Sequence, residues 1–186
     1  LGRWAGKLAA ATTLGLCLEE VEVLAAPDGA PEVWSGDEHL PVELSLSHRA
    51  GLALAVTGTP GAALGCDAEL VEPRSHAFLN EWFAPEERDT LHQVAPGRAQ
   101  DLGANAVWTA KESASKVRRE GLRLDPRHAR TSLAPSTGIR WAPVSVTWPD
   151  APRAHGWWRE HRDHVLCVMA SEPLDPPQPL TDRLPV

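Results

Sequence analysis

No apolar run in the chain approaches the ~20 residues that a membrane-spanning helix needs, and none has the short apolar core of a secretory leader. This absence reads as a cytoplasmic protein without a membrane partner. Cysteine is scarce: Cys17, Cys66 and Cys167 are odd in number and form no CxxC pair, which argues against a disulfide framework and against a zinc site. Reduced thiols in the core are the expectation. Positive charge is in deficit, 18 basic against 25 acidic residues for a net charge of -7, and so general nucleic-acid binding is disfavoured. Lysine is the scarcest charge. The chain has Lys7, Lys111 and Lys116 against fifteen arginines, and two of the three lysines flank Glu112.

With 186 residues, 42% of them hydrophobic, the chain can bury about 70% of its unfolded surface and hold its own core. Trp4, Leu8, Ala11 and Gly15 fall on one stripe of an amphipathic helix over 2–18. A strand over 19–25 and a turn-rich connection over 27–40 follow. Glu43 to His48 alternates strictly, with Leu44 and Leu46 on one face and Ser45 and Ser47 on the other; with the apolar run 52–57 it predicts a hairpin. Residues 62–70 read as a strand, 75–83 as a short helix, and Pro85 opens another. Strand patterns recur over 139–148 and 164–171, with a turn or bulge at Gly156-Trp157-Trp158 between them. The order of elements is that of an α+β fold. Residues 173–186 are a Pro-rich tail.

The chemistry gathers on two elements. Period two puts Asp67 and Glu69 on the same side of their strand, as two ligands of one hard cation require, although an isolated D-x-E is more often a strand end dipping into solvent. The second element is a helix from about Asp101 to Arg119, stopped by Gly121, on which Trp108, Glu112 and Ser115 with Lys116 share a face. A Lys-Glu-x-x-x-Lys pattern alone is usually a solvated face with ion-pair support. A compact ammonium beside a carboxylate also suits a point charge or a proton transfer, which guanidinium does not. From Val107 to Arg130 the charge runs four in favour of the bases, which suits one anionic partner, a phosphorylated small molecule or an acidic protein, or else a basic helix end favoured by its dipole. Trp4-Ala-Gly-Lys7 and Trp108-Thr-Ala-Lys111 form a weak internal echo, consistent with a duplicated half.

Leu46-Ser-His48, Gly65-Cys-Asp67-Ala-Glu69 and Trp108-Thr-Ala-Lys111-Glu112-Ser-Ala-Ser-Lys116, in that order, resemble the two-lobed, surfactin-synthetase-activating type of 4′-phosphopantetheinyl transferase. The resemblance runs from Leu1 to about Ser171. It implies a pseudo-twofold pair of helix-plus-antiparallel-sheet lobes, residues 1–61 and 62–172, with a metal site at their interface. The implied reaction moves the 4′-phosphopantetheine group from coenzyme A to a serine of an acyl or peptidyl carrier protein, releasing adenosine 3′,5′-bisphosphate. The resemblance assigns Asp67, Glu69 and Glu112 to Mg²⁺, Glu112 to the serine proton and Lys116 to the leaving phosphate. Coenzyme A contacts fall to Arg3, Ser47, His48, Lys111 and Lys116, Lys111 on a phosphate oxygen. The family's Gly-Lys-Pro segment has no lysine counterpart between Pro31 and Pro41, so the grip on adenine and 3′-phosphate differs here. Leu1 as first residue and the Pro-rich end resemble a transferase domain integrated at the C-terminus of an enediyne polyketide synthase. Two other classes share the residues: a metal-dependent phosphodiesterase or nuclease, against which the acidic charge counts, and a non-catalytic carrier-protein docking domain.

Overall fold

The computed structural model describes residues 1–119, 125–138 and 140–180. Helix α1 (Gly2–Leu14) buries Gly6, Ala9, Ala10 and Ala11 and ends at Gly15, whose left-handed backbone (φ 69°) returns its N–H to the Ala11 carbonyl. The small residues let it lie close on a hairpin. A Cβ on Gly6 would stand 2.7 Å from a Leu46 methyl. That hairpin is β4 (Glu43–Arg49) with β5 (Leu52–Gly58), in register from Glu43 opposite Gly58 to Arg49 opposite Leu52. Its two-residue turn, Ala50-Gly51, takes positive φ at both positions (45° and 85°), the twist that a tight hairpin requires.

The connection over 27–40 is more regular than its turn residues suggest. It contributes β2 (Pro31–Ser35) and β3 (Glu38–His39), which with β1 (Glu22–Ala25) make a three-stranded sheet in the order β1-β2-β3. Val21, Val33, Leu40, Val42 and Leu44 join Ala10 and Ala11 in the core of this half. Pro and Gly mark the strand ends there, and the strands between are too short for a periodic signal.

The larger sheet runs β6-β10-β9-β8-β7, all neighbours antiparallel, from β6 (Leu64–Leu70), β7 (Arg130–Leu133), β8 (Ala142–Trp148), β9 (Ala151–His161) and β10 (His164–Ala170). Gly156-Trp157-Trp158, expected as a turn or bulge, lies inside β9. Gly156 is there for space, since a Cβ would meet the Val168 carbonyl oxygen at 2.1 Å, and the two tryptophans take opposite faces. Trp158 is buried, while the Trp157 indole N–H donates to the Leu174 carbonyl at 2.8 Å and ties down the start of the Pro-rich tail. Residues 181–186 of that tail and Ile139 lie outside the described residues.

Helix α4 (Arg98–Val117) crosses this sheet over β6 and β10, with α2 (His76–Trp82) and α3 (Pro85–His92) beside it. It begins earlier than its Ala-rich segment, at Gly97, and tolerates Gly103 inside. Arg119 closes it in the left-handed region (φ 55°), its N–H donating to the Lys116 carbonyl; Gly121, expected as the stop, lies outside the described residues, as do Glu120 and Arg123 of the basic run. Cys66 and Cys167 are buried thiols as expected, but Cys17 is exposed.

Candidate active site

Gly65 opens the site by bringing helix and strand together. A Cβ there would lie 2.0 Å from the Ser113 carbonyl oxygen and 2.8 Å from the Val117 nitrogen, so α4 rests directly on β6 only because residue 65 has no side chain. The strand then presents Asp67 and Glu69 beneath the helix face that carries Glu112 and Lys116.

Asp67 is 5% exposed. Its Oδ1 accepts hydrogen bonds from Ser47 Oγ at 2.7 Å and Lys116 Nζ at 2.9 Å, while Oδ2 is buried with no partner among the described residues. Glu69 repeats the pattern: Oε2 accepts from Arg74 Nη2 at 2.8 Å and lies 3.7 Å from Arg49 Nε, and Oε1 takes no hydrogen bond among the described residues. Glu112 forms neither hydrogen bond nor ion pair there. In each carboxylate the protein ties one oxygen or none.

The electrostatics follow from that crowding. Burial, then the Asp67 and Glu69 charges, push the Glu112 carboxyl up to about 7, with Lys116 opposing. Burial and Asp67 also raise Glu69, against Arg74 and Arg49. For Lys116, burial pulls the ammonium down, but Asp67, Cys66 and Glu112 outweigh it and hold its pKa above the usual lysine value. It stays charged. Its three N–H donors go to Asp67 Oδ1, to the Cys66 carbonyl at 2.8 Å and, at a long 3.4 Å, to the Leu46 carbonyl.

A hard divalent cation fits this donor set. An orphaned buried carboxylate oxygen, a second carboxylate with a free oxygen and a third with no partner supply oxygen ligands whose mutual repulsion a cation would relieve. Among the described residues, however, no three His, Cys, Asp or Glu side chains converge as a ready-made cage. Closing one requires side-chain rotation.

Other expected residues fall differently. Ser47 reaches Asp67 and so acts on the carboxylate. His48 is exposed and stands beside the first turn of α1, where a Cβ on Gly2 would be 3.7 Å from its ring. Arg3 is exposed on that turn, and neither forms a hydrogen bond or ion pair among the described residues. Lys111, expected on a phosphate oxygen, is 1% exposed on a different face of α4. Its ammonium pairs with Glu87 Oε2 at 2.6 Å and donates to the carbonyls of Trp82 at 3.2 Å and Pro126 at 2.7 Å. These bonds use all three donors, so Lys111 is a structural pin between α4 and α3.

The sequence assigned no role to Arg74, Arg49 or Ser45, although strand alternation puts Ser45 on the same face as Ser47. Ser45 Oγ accepts from the Cys66 N–H at 2.8 Å, and with Lys116 on the Cys66 carbonyl the outer edge of β6 is capped by side chains from β4 and α4. A cavity of about 520 Å³ adjoins Lys116, bordered by Leu44 and Leu46 of β4, Ala62, Leu64 and Arg119. The turn Asp28–Pro31 forms its far wall, and Arg119 Nε pairs with Asp28 Oδ2 at 2.8 Å across the two halves. That turn contains Gly29-Ala30-Pro31, with alanine between the glycine and the proline.

A family model described as the 4′-phosphopantetheinyl transferase superfamily matches residues 63–168. The match includes Asp67, Glu69, Glu112 and Lys116 and stops short of β4 with Ser47, His48 and Arg49. No curated protein matches the chain.

Proposed function

Since the chain belongs to the 4′-phosphopantetheinyl transferase superfamily, we propose that it converts an apo acyl or peptidyl carrier protein to the holo form, taking the 4′-phosphopantetheine group from coenzyme A with Mg²⁺ as cofactor. The observation that carries this reading is the set of free carboxylate oxygens on Asp67, Glu69 and Glu112 beside a charged Lys116. When bound there, Mg²⁺ supplies charge neutralisation for a pyrophosphate.

The carrier serine Oγ forms a bond to the β-phosphorus of coenzyme A, and the bond from that phosphorus to the bridging oxygen breaks. Glu112 accepts the serine proton, the role of a general base beside the attacking hydroxyl. Lys116 gives up its long bond to the Leu46 carbonyl and turns that donor to the departing phosphate of adenosine 3′,5′-bisphosphate. A raised pKa makes it a charge stabiliser rather than a proton donor. Coenzyme A occupies the cavity beside Lys116, with Gly29-Ala30-Pro31 and Arg119 on its border. Arg3 from the first turn of α1 and His48 from β4 beside it bind its phosphates.

Under this reading the halves, 1–61 with α1 on β4 and β5 and 62–172 with α4 on the large sheet, form the pseudo-twofold pair of the surfactin-synthetase-activating type. Polyketide biosynthesis in the cytoplasm, with the carrier in the same synthase, is the proposed setting. No helix among the described residues is long and apolar enough to cross a membrane.

Intact-mass analysis of an apo carrier protein incubated with coenzyme A, Mg²⁺ and this chain tests the proposal. A gain of one phosphopantetheine that disappears with chelator is the expected result. Coenzyme A binding without transfer to any carrier type would instead favour the docking reading.

A further inference from the structure

Helix α4 carries Glu112 directly, and two turns earlier it carries Asn105, a fully buried polar residue in the helix middle. The Asn105 amide nitrogen donates to the Glu72 carbonyl at 2.7 Å and the Asp101 carbonyl at 2.8 Å. Both amide donors are spent, so the amide oxygen faces the other way, where Arg74 Nε donates to it at 2.7 Å. Arg74 is confined on its remaining sides. Nη2 donates to Glu69 Oε2, Nη1 lies 3.6 Å from Glu72, and the guanidinium stacks 4.9 Å from the Phe78 ring centre. Its side chain is 14% exposed.

We infer that Arg74, locked by Asn105, is the positioning residue for Glu69: it pins one carboxylate oxygen and leaves the other for the divalent cation. One helix then sets two of the three carboxylates, Glu112 from its own backbone and Glu69 through the Asn105–Arg74 link. The inference rests on the metal reading above, which the buried Asp67 Oδ2, without a partner among the described residues, supports independently of Arg74. A lysine at residue 74 cannot do this work, because a point charge does not bridge an amide oxygen and a carboxylate in one plane. If Arg74 were only a counter-charge to Glu69 and Glu72, lysine would serve equally and removing the charge would strengthen cation binding.

Titration of the whole chain with Mn²⁺, read by the electron paramagnetic resonance signal of the free ion, separates the two. Arg74→Lys and Arg74→Ala are both expected to weaken Mn²⁺ binding about 10-fold or more, the usual effect of losing a group that orients a metal ligand. Asn105→Ala is expected to weaken it in the same direction, and Arg74→Lys, which keeps charge and bulk, guards against a variant that fails to fold. In the transfer assay Arg74→Lys should recover turnover as Mg²⁺ is raised, with the coenzyme A KM unchanged. Wild-type affinity in Arg74→Lys, or tighter binding in Arg74→Ala, overturns the inference alone. A wild type that binds no Mn²⁺ overturns the metal reading with it.

Discussion

Glu112 is half-buried among like charges and forms no hydrogen bond or ion pair among the described residues, and that cost is measurable without substrate. Its folded pKa of about 7 lies above the unfolded value near 4.5, so between those two pH values the folded chain keeps a proton that the unfolded chain has released. The contribution to stability is whole below about 4.5 and is lost as pH rises through 7, a decline of roughly 3 kcal/mol before solvent screening is counted. Thermal melts in chelator across this window are expected to show that decline in the wild type and a flatter profile in Glu112→Gln, a variant also expected to lose transfer in the carrier-protein mass assay. Lys116→Ala should lower kcat more than coenzyme A affinity, since charge on the leaving phosphate develops in the transition state; single-turnover rates with a parallel binding isotherm decide it. Lys111 should behave in the opposite way. Lys111→Met takes the only ammonium from the buried Glu87, leaving the Ala84 and Thr131 N–H groups as its donors among the described residues, and is expected to cost ~3 kcal/mol in urea denaturation, with turnover per folded molecule near wild type. Its neighbours carried the warning: Ala104, Val107 and Ala114, spaced three and four apart with Lys111, are all buried, so the lysine sits in an apolar stripe.

At the scale of elements, the site depends on how closely α4 lies on β6. Gly65→Ala forces a methyl against backbone atoms that cannot rotate away, so the helix must lift; overpacking of this kind costs ~1–3 kcal/mol and would carry Glu112 away from Asp67. A lowered melting temperature together with weaker Mn²⁺ binding is the expected pair of results, and a melting temperature at the wild-type value would mean that the contact is not limiting. The placement of the four side chains of the proposed site was legible in the sequence because it is local. Period two aligns Asp67 with Glu69, and the helical repeat aligns Glu112 with Lys116. Their supports were not, since Ser47 reaches Asp67 across 20 residues and Arg74 reaches Asn105 across 31. No periodicity encodes such a pairing. The same limit hid β2, β3 and β7, short strands whose pairing decides what local propensity leaves open.

At the scale of the whole molecule, the carboxylates belong to the part that the superfamily model matches, but their surroundings are completed by β4 from outside it. Ser47 holds Asp67, the Leu46 carbonyl receives Lys116, Arg49 approaches Glu69, and Ser45 caps the Cys66 N–H. Strand β6 is the edge of the large sheet, and these contacts stand where another strand would otherwise pair. A chain beginning at residue 62 would therefore expose the outer edge of an apolar strand and should self-associate, eluting early in size-exclusion chromatography; a monomer with wild-type Mn²⁺ affinity would show that the C-terminal half is self-sufficient. Ser47→Ala makes the finer cut. It removes one donor from Asp67 Oδ1 and leaves the edge covered, so the chain should stay monomeric while its Mn²⁺ affinity falls several-fold, because Lys116 alone then orients the carboxylate.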